Sequence, residues 1–178
     1  MLINMNQMLT VAKKNHFAVG AYNVSNAELL KASVEQCEAD NAPGIIAVHP
    51  TELAYAKDDF FAYVLQRIRN SNVPFVLHLD HGDTIENVER AIHDGFSSVM
   101  IDGSLEDWEK NVAITKETVT ICHRLGVSVE GELGTIGQTG NHIKEHLQNG
   151  IYTQPDDAKK FVAVSYTHLR AHETLSDL

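Results

Sequence analysis

The chain has 178 residues, 43% hydrophobic and 21% charged, ordinary values for a globular domain with its own core. Its formal charge of -10 at pH 7 argues against a nucleic-acid partner, which would need a basic stripe. A phosphorylated ligand stays open, because a metal ion or helix N-termini can supply positive potential locally. Met1 to Thr10 lacks a signal-peptide pattern and no apolar run approaches a membrane span, so a cytoplasmic protein with no membrane partner is expected. Cys37 and Cys122 lack CxxC spacing and read as small core residues in a reducing compartment.

In chain order, the first apolar run covers residues 17–24. Ser25-x-x-Glu28 then reads as a capping box ahead of Leu29, Leu30, Ser33, Val34 and Cys37 at helical spacing. A second run, 44–49, precedes a helix marked by Phe60, Phe61, Val64, Leu65 and Ile68. The third, 73–79, leads into Asp83-x-x-Glu86 and a helix with Ile85, Val88 and Ile92 on one face. After the fourth, 98–101, Ser104-x-x-Asp107 opens a longer helix with Trp108, Val112, Thr115, Val119 and Cys122 as its stripe. The fifth run is 127–132, and Pro155 starts another helix with Asp156 and Asp157 in its first turn. Gly44, Gly95 and Gly126, between helix and next strand, are expected in left-handed caps.

Apolar strands about thirty residues apart, separated by helices, predict a parallel sheet covered on its faces. An open doubly wound sheet and a (β/α)8 TIM barrel both fit. No GxGxxG follows the first strand, and polar groups end several strands, which favours the barrel. A barrel takes about 250 residues, so the α/β fold expected is a TIM barrel truncated to about its first five βα units. Residues 1–164 form that part. Residues 165–178 abandon the pattern and read as a non-native tail; the spacing of His168 and His172 within it reads as coincidence.

The chemistry concentrates at three successive strand ends. His78, Asp80 and His81 close the third run, and alternation puts His78 and Asp80 on one face, with His81 beginning the loop. Asp102 and Gly103 close the fourth. Glu130-Gly-Glu-Leu-Gly134 closes the fifth, its two carboxylates pointing one way and Gly131 allowing backbone or ligand to come close. If these strands are neighbours, the groups surround one mouth and offer mixed N and O ligands to a divalent cation.

Ala21-Tyr-Asn-Val-Ser-Asn26, His78-Leu-Asp-His-Gly82, Val99-Met-Ile-Asp-Gly103 and Val129-Glu-Gly-Glu-Leu-Gly134 resemble the class II, zinc-dependent ketose-bisphosphate aldolases. The resemblance covers about residues 1 to 164. It implies a (β/α)8 barrel and reversible cleavage of a ketose 1,6-bisphosphate, of fructose or tagatose type, into dihydroxyacetone phosphate and an aldehyde. It implies Asp80 as proton carrier at the C4 hydroxyl and His81 as a ligand of catalytic Zn2+. Asp102 and Glu132 match ligands of a second or alternative metal position, and Asn23 a substrate contact. A homo-oligomeric parent and a phosphorylated sugar substrate are expected with it. The alternative aldolase chemistry needs a Schiff-base lysine, and no lysine sits at the five strand ends.

Departures from the family pattern set further expectations. Its two other zinc histidines belong to later strands, so these 178 residues alone are expected to be inactive. Gly137-Gln-Thr-Gly-Asn141 offers no loop acid, and His49 stands where many members carry a serine. Two competing readings are a zinc hydrolase of the amidohydrolase type and a non-catalytic barrel fragment with an exposed sheet edge.

Overall fold

The computed structural model describes residues 1–134 and 153–167. Five strands form one parallel sheet in the order β1 (Gly20–Asn23), β2 (Gly44–Val48), β3 (Phe75–Gly82), β4 (Ser98–Ile101) and β5 (Ser128–Gly131). Sequential neighbours joined by helices are the βαβ arrangement expected from the spacing. The connecting helices are α2 (Ala27–Ala39), α3 (Pro50–Arg69), α4 (Ile85–His93) and α5 (Trp108–His123). Two more flank them, α1 (Met5–Asn15) and α6 (Pro155–Ser165).

Strand alternation divides the sheet into two chemically different faces. On one, Ile46, Val48, Leu77, Leu79, Val99 and Ile101 are buried against Leu30 and Val34 of α2, Phe61 and Val64 of α3, and Val88 of α4. The opposite face begins apolar and turns polar along the strands. Ile45 and Val76 pack there against Met8 of α1, and His78 and Asp80 follow further along β3. The apolar start supports the sheet, and the polar end is where the candidate site forms.

The helix α1 escaped the sequence reading, although Asn4 and Gln7 form a reciprocal capping box. It is tied down through the N-terminal ammonium, which donates to the carbonyls of Ile68, Ser71 and Val73, and through Asn4, which donates to Gly126. Three capping expectations are corrected. Asn26 caps α2 in place of Ser25, Thr84 caps α4 in place of Asp83, and Asp107 caps α5 in place of Ser104. In each case the residue next to the first helical turn is the one whose oxygen reaches its backbone N–H. Gly95 and Gly126 take positive φ as expected, at 84° and 72°. Gly44 does not; a Cβ there would sit 2.8 Å from Phe75 and 2.9 Å from Cys37, so its role is close packing. The first strand, at one edge of the sheet, is exposed throughout, unlike the others. Both cysteines are free and buried, as expected, and burial pushes the Cys122 thiol up to about 12.

Candidate active site

The C-terminal ends of β3, β4 and β5 lie side by side, so the three polar strand ends meet. A break in the β3–β4 register between Leu79 and Gly82 makes this convergence local to His81. His81 lies within the strand, not in the loop expected, and adopts a left-handed φ of 51°. Such a conformation is costly for a non-glycine residue and is held by its surroundings. It turns His81 out of the alternation, so that its ring and Asp80 serve the same mouth.

There His81 Nδ1 lies 2.8 Å from Asp102 Oδ2 and 3.5 Å from Glu132 Oε2, and its Nε2 lies 3.9 Å from Asp80 Oδ1. One ligand atom from each of His81, Asp102 and Glu132 fits within a 4.8 Å cluster. The hydrogen bond to Asp102 raises the His81 pKa, over an opposing effect of burial. Partial burial pushes the Asp102 carboxyl up, but bonds from Ser104 and His81 outweigh it and hold it below its ordinary value. Burial, with Asp102 beside it, raises Glu132. The cluster therefore concentrates negative charge around one imidazole. A mixed N and O donor set of this kind fits a divalent cation such as Zn2+, which takes His and carboxylate ligands.

On the same face, Asn23 Nδ2 donates to Asp80 Oδ2 at 2.8 Å. Asn23 thus touches the carboxylate expected to move the proton. Buried His78 sits 2.9 Å from Ser98 Oγ and 3.6 Å from Glu130 Oε2, and burial lowers its pKa to about 4. The carboxylates of Glu130 and Glu132 do face one side, but they serve different imidazoles. Gly131 between them is approached by Phe161 and Thr115 of the helical layer, with a hypothetical Cβ 2.7 Å and 3.3 Å away.

A cavity of about 440 Å3 opens beside the cluster, lined by His49, Pro50, His81, Asp83, Asp102 and Leu105. His49 caps α3 by accepting from the Thr51 amide, and its ring centroid is 6.2 Å from that of His81. Ser104 was read as a helix cap; instead its amide donates to Asp102 Oδ1 at 3.0 Å, orienting that carboxylate. The Asp-Gly-Ser spacing carries the signal for such a turn, but a capping box competes for the same serine. Asp58, His93 and Asp94 form a second acid–imidazole group, away from this mouth, with Arg90 already paired to Asp58 and Asp94. His168, His172 and the 137–141 stretch fall outside the described residues.

The family model for class-II fructose-bisphosphate aldolase matches residues 3–171. A fructose-bisphosphate aldolase of Giardia intestinalis is 41% identical over 167 residues, which cover 92% of this chain and 50% of the relative. One from Staphylococcus aureus (strain Mu50) is 40% identical over 167 residues, covering 90% and 57%. The crystal structure of the YdjI aldolase from Escherichia coli K12 superposes with a TM-score of 0.81 at 33% identity, covering 93% of this chain and 62% of that one. The chain spans about half the length of the curated relatives it matches. Along that half, sequence and fold agree, and the chain belongs to the class II fructose-bisphosphate aldolase family.

Proposed function

We propose that this chain carries the proton carrier and part of the metal-binding set of a class II aldolase acting on a ketose 1,6-bisphosphate. The carrying observation is the meeting of His81, Asp102 and Glu132 within 4.8 Å, at the ends of three adjacent strands. In this reading His81, Asp102 and Glu132 hold Zn2+, with Asp102 and Glu132 also able to serve a second metal position. When bound, the metal supplies a Lewis acid that draws electron density from a substrate ketone.

The chain's own residues do part of the rest. Asp80 takes the proton from the C4 hydroxyl as the C3–C4 bond breaks, and returns it in the condensation direction. Asn23 holds one Asp80 oxygen, leaving the other for substrate. Protonation at C3, by an acid assigned to no described residue, then gives dihydroxyacetone phosphate, and C4 leaves as the aldehyde carbonyl. His49 lines the cavity beside the cluster, so in this reading it bears on the choice between fructose- and tagatose-type sugars. The reading extends to a homo-oligomeric cytoplasmic parent. By themselves these 178 residues are proposed to be inactive, since among the described residues the cluster holds one histidine.

The test uses an intact parent with added Zn2+ in a coupled dihydroxyacetone phosphate assay. Asp80→Ala should cut turnover by about 10²- to 10⁴-fold while bound zinc stays near one equivalent of the wild-type level. Wild-type turnover in that variant would remove Asp80 from the chemistry. Cleavage by the 178-residue chain itself would refute its proposed inactivity.

A further inference from the structure

We infer that Asn111, a buried amide in α5 whose side chain hydrogen-bonds to none of the proposed metal ligands' side chains, is the positioning residue that brings Asp102 and Glu132 together. The inference rests on the metal pocket proposed above and names what assembles it.

Each of the two carboxylate ligands is next to a glycine in sequence: Asp102 before Gly103, and Glu132 after Gly131. Gly103 backs onto α5, and Gly131 onto α5 and, more tightly, onto Phe161 of α6, 2.7 Å from its Cβ position. A Cβ on Gly103 would sit 2.6 Å from Asn111 Oδ1 and 3.1 Å from Asn111 Cα. One on Gly131 would sit 3.3 Å from Thr115 Cγ2, a single turn further along. The missing side chains let the helix press directly on the ends of β4 and β5, and Asn111 fills the seam.

The amide is 3% exposed, and both its ends are engaged. Its Nδ2 donates to the backbone carbonyl of Glu132 at 2.8 Å, while Oδ1 accepts from Thr115 Oγ1 at 3.4 Å. Glu132 lies just past the end of β5, beyond the last ladder pair between Ile101 and Gly131. Sheet hydrogen bonding therefore no longer sets its position. The Asn111 bond takes over at that residue, while the same side chain packs against the turn carrying Asp102. One side chain thus fixes the separation of two carboxylates that come from different strands. Outer groups that orient ligands in this way commonly change metal affinity about 10- to 100-fold when removed.

The experiment titrates Co2+ alone into the 178-residue chain and follows its visible absorption. Asn111→Asp replaces the donor by an oxygen that repels the Glu132 carbonyl. Asn111→Ser keeps a polar group too short to reach it. Both are expected to weaken Co2+ binding by at least about tenfold and to alter the band shape, which reports ligand geometry. Thr118→Val is the control: Thr118 is as deeply buried on the same helix, but bonds only within it, to the Ile114 carbonyl at 2.9 Å. It should keep the wild-type affinity and spectrum. Either Asn111 variant, folded by circular dichroism and binding Co2+ with wild-type affinity and spectrum, overturns the inference alone. A wild-type chain that takes up no Co2+ overturns this inference, while the proposed function stands or falls separately on the intact-parent assay.

Discussion

His81 carries more of the proposed chemistry than any other single residue. It faces three carboxylates, from its own strand and from β4 and β5, and it does so from a strained backbone. In an intact parent His81→Ala is expected to lose bound zinc along with activity, measured by metal analysis after dialysis. Retained zinc would place His81 outside the ligand set. Asn23 invites a subtler measurement. If its amide serves mainly to hold Asp80, Asn23→Ala should lower kcat about tenfold, the loss of one hydrogen bond to a charged group, with KM little changed. A dominant rise in KM would instead make it a substrate contact. The sequence exposed these residues because Asp, His and Asn are conspicuous at the ends of apolar runs. It did not expose Ser104's service to Asp102, because the same serine reads equally well as a helix cap.

At the scale of elements, the β3–β4 pair decides where the site lies. Gly82 pairs with Ile101 after the register break, and a Cβ at Gly82 would collide with the Met100 carbonyl oxygen. Gly82→Ala is therefore predicted to destabilise the chain by roughly 1–3 kcal/mol, the usual cost of overpacking, read from chemical denaturation. An unchanged midpoint would show that the strands part freely there. Strand and helix existence was legible from period and composition. The bulge was not: alternation predicts which face each residue takes only while the ladder is regular, and a one-residue slip reverses it. The helix α1 was missed for a related reason. Its apolar face is narrow, with Met8 and Ala12 buried, and its anchors are bonds to distant backbone around residues 68–73 and 126.

At the scale of the whole molecule, Glu38 and His78 are among the described groups that make folding stability sensitive to acid. Glu38 of α2 forms a two-pronged bond with Arg67 of α3, at 2.8 and 2.7 Å, and this bond, with help from Ser71, lowers its carboxyl pKa to about 2. An acid lowered in the folded state contributes stability above the ordinary carboxylate value, lost as pH falls toward 2. Buried His78 is a base with a lowered pKa, and Asp80, His81 and Glu130 are the titratable groups around it. Above pH 6.5 it is neutral folded or unfolded and contributes nothing. Between 6.5 and about 4 the unfolded chain takes up a proton that the folded chain refuses. Stability should fall there by on the order of 1 kcal/mol per pH unit. His78→Asn is expected to flatten that interval in thermal melts across pH; an equally steep decline in the variant would assign it elsewhere. By itself, the sequence determined the parallel α/β architecture, the rim on which the polar groups gather and the residue types available there. Those follow from local periodicity and from which side chains can leave water. Only the tertiary structure decided that Asp102 and Glu132 meet at His81, because that meeting depends on strand order, a register slip and contacts between residues far apart in the chain, which no local pattern encodes.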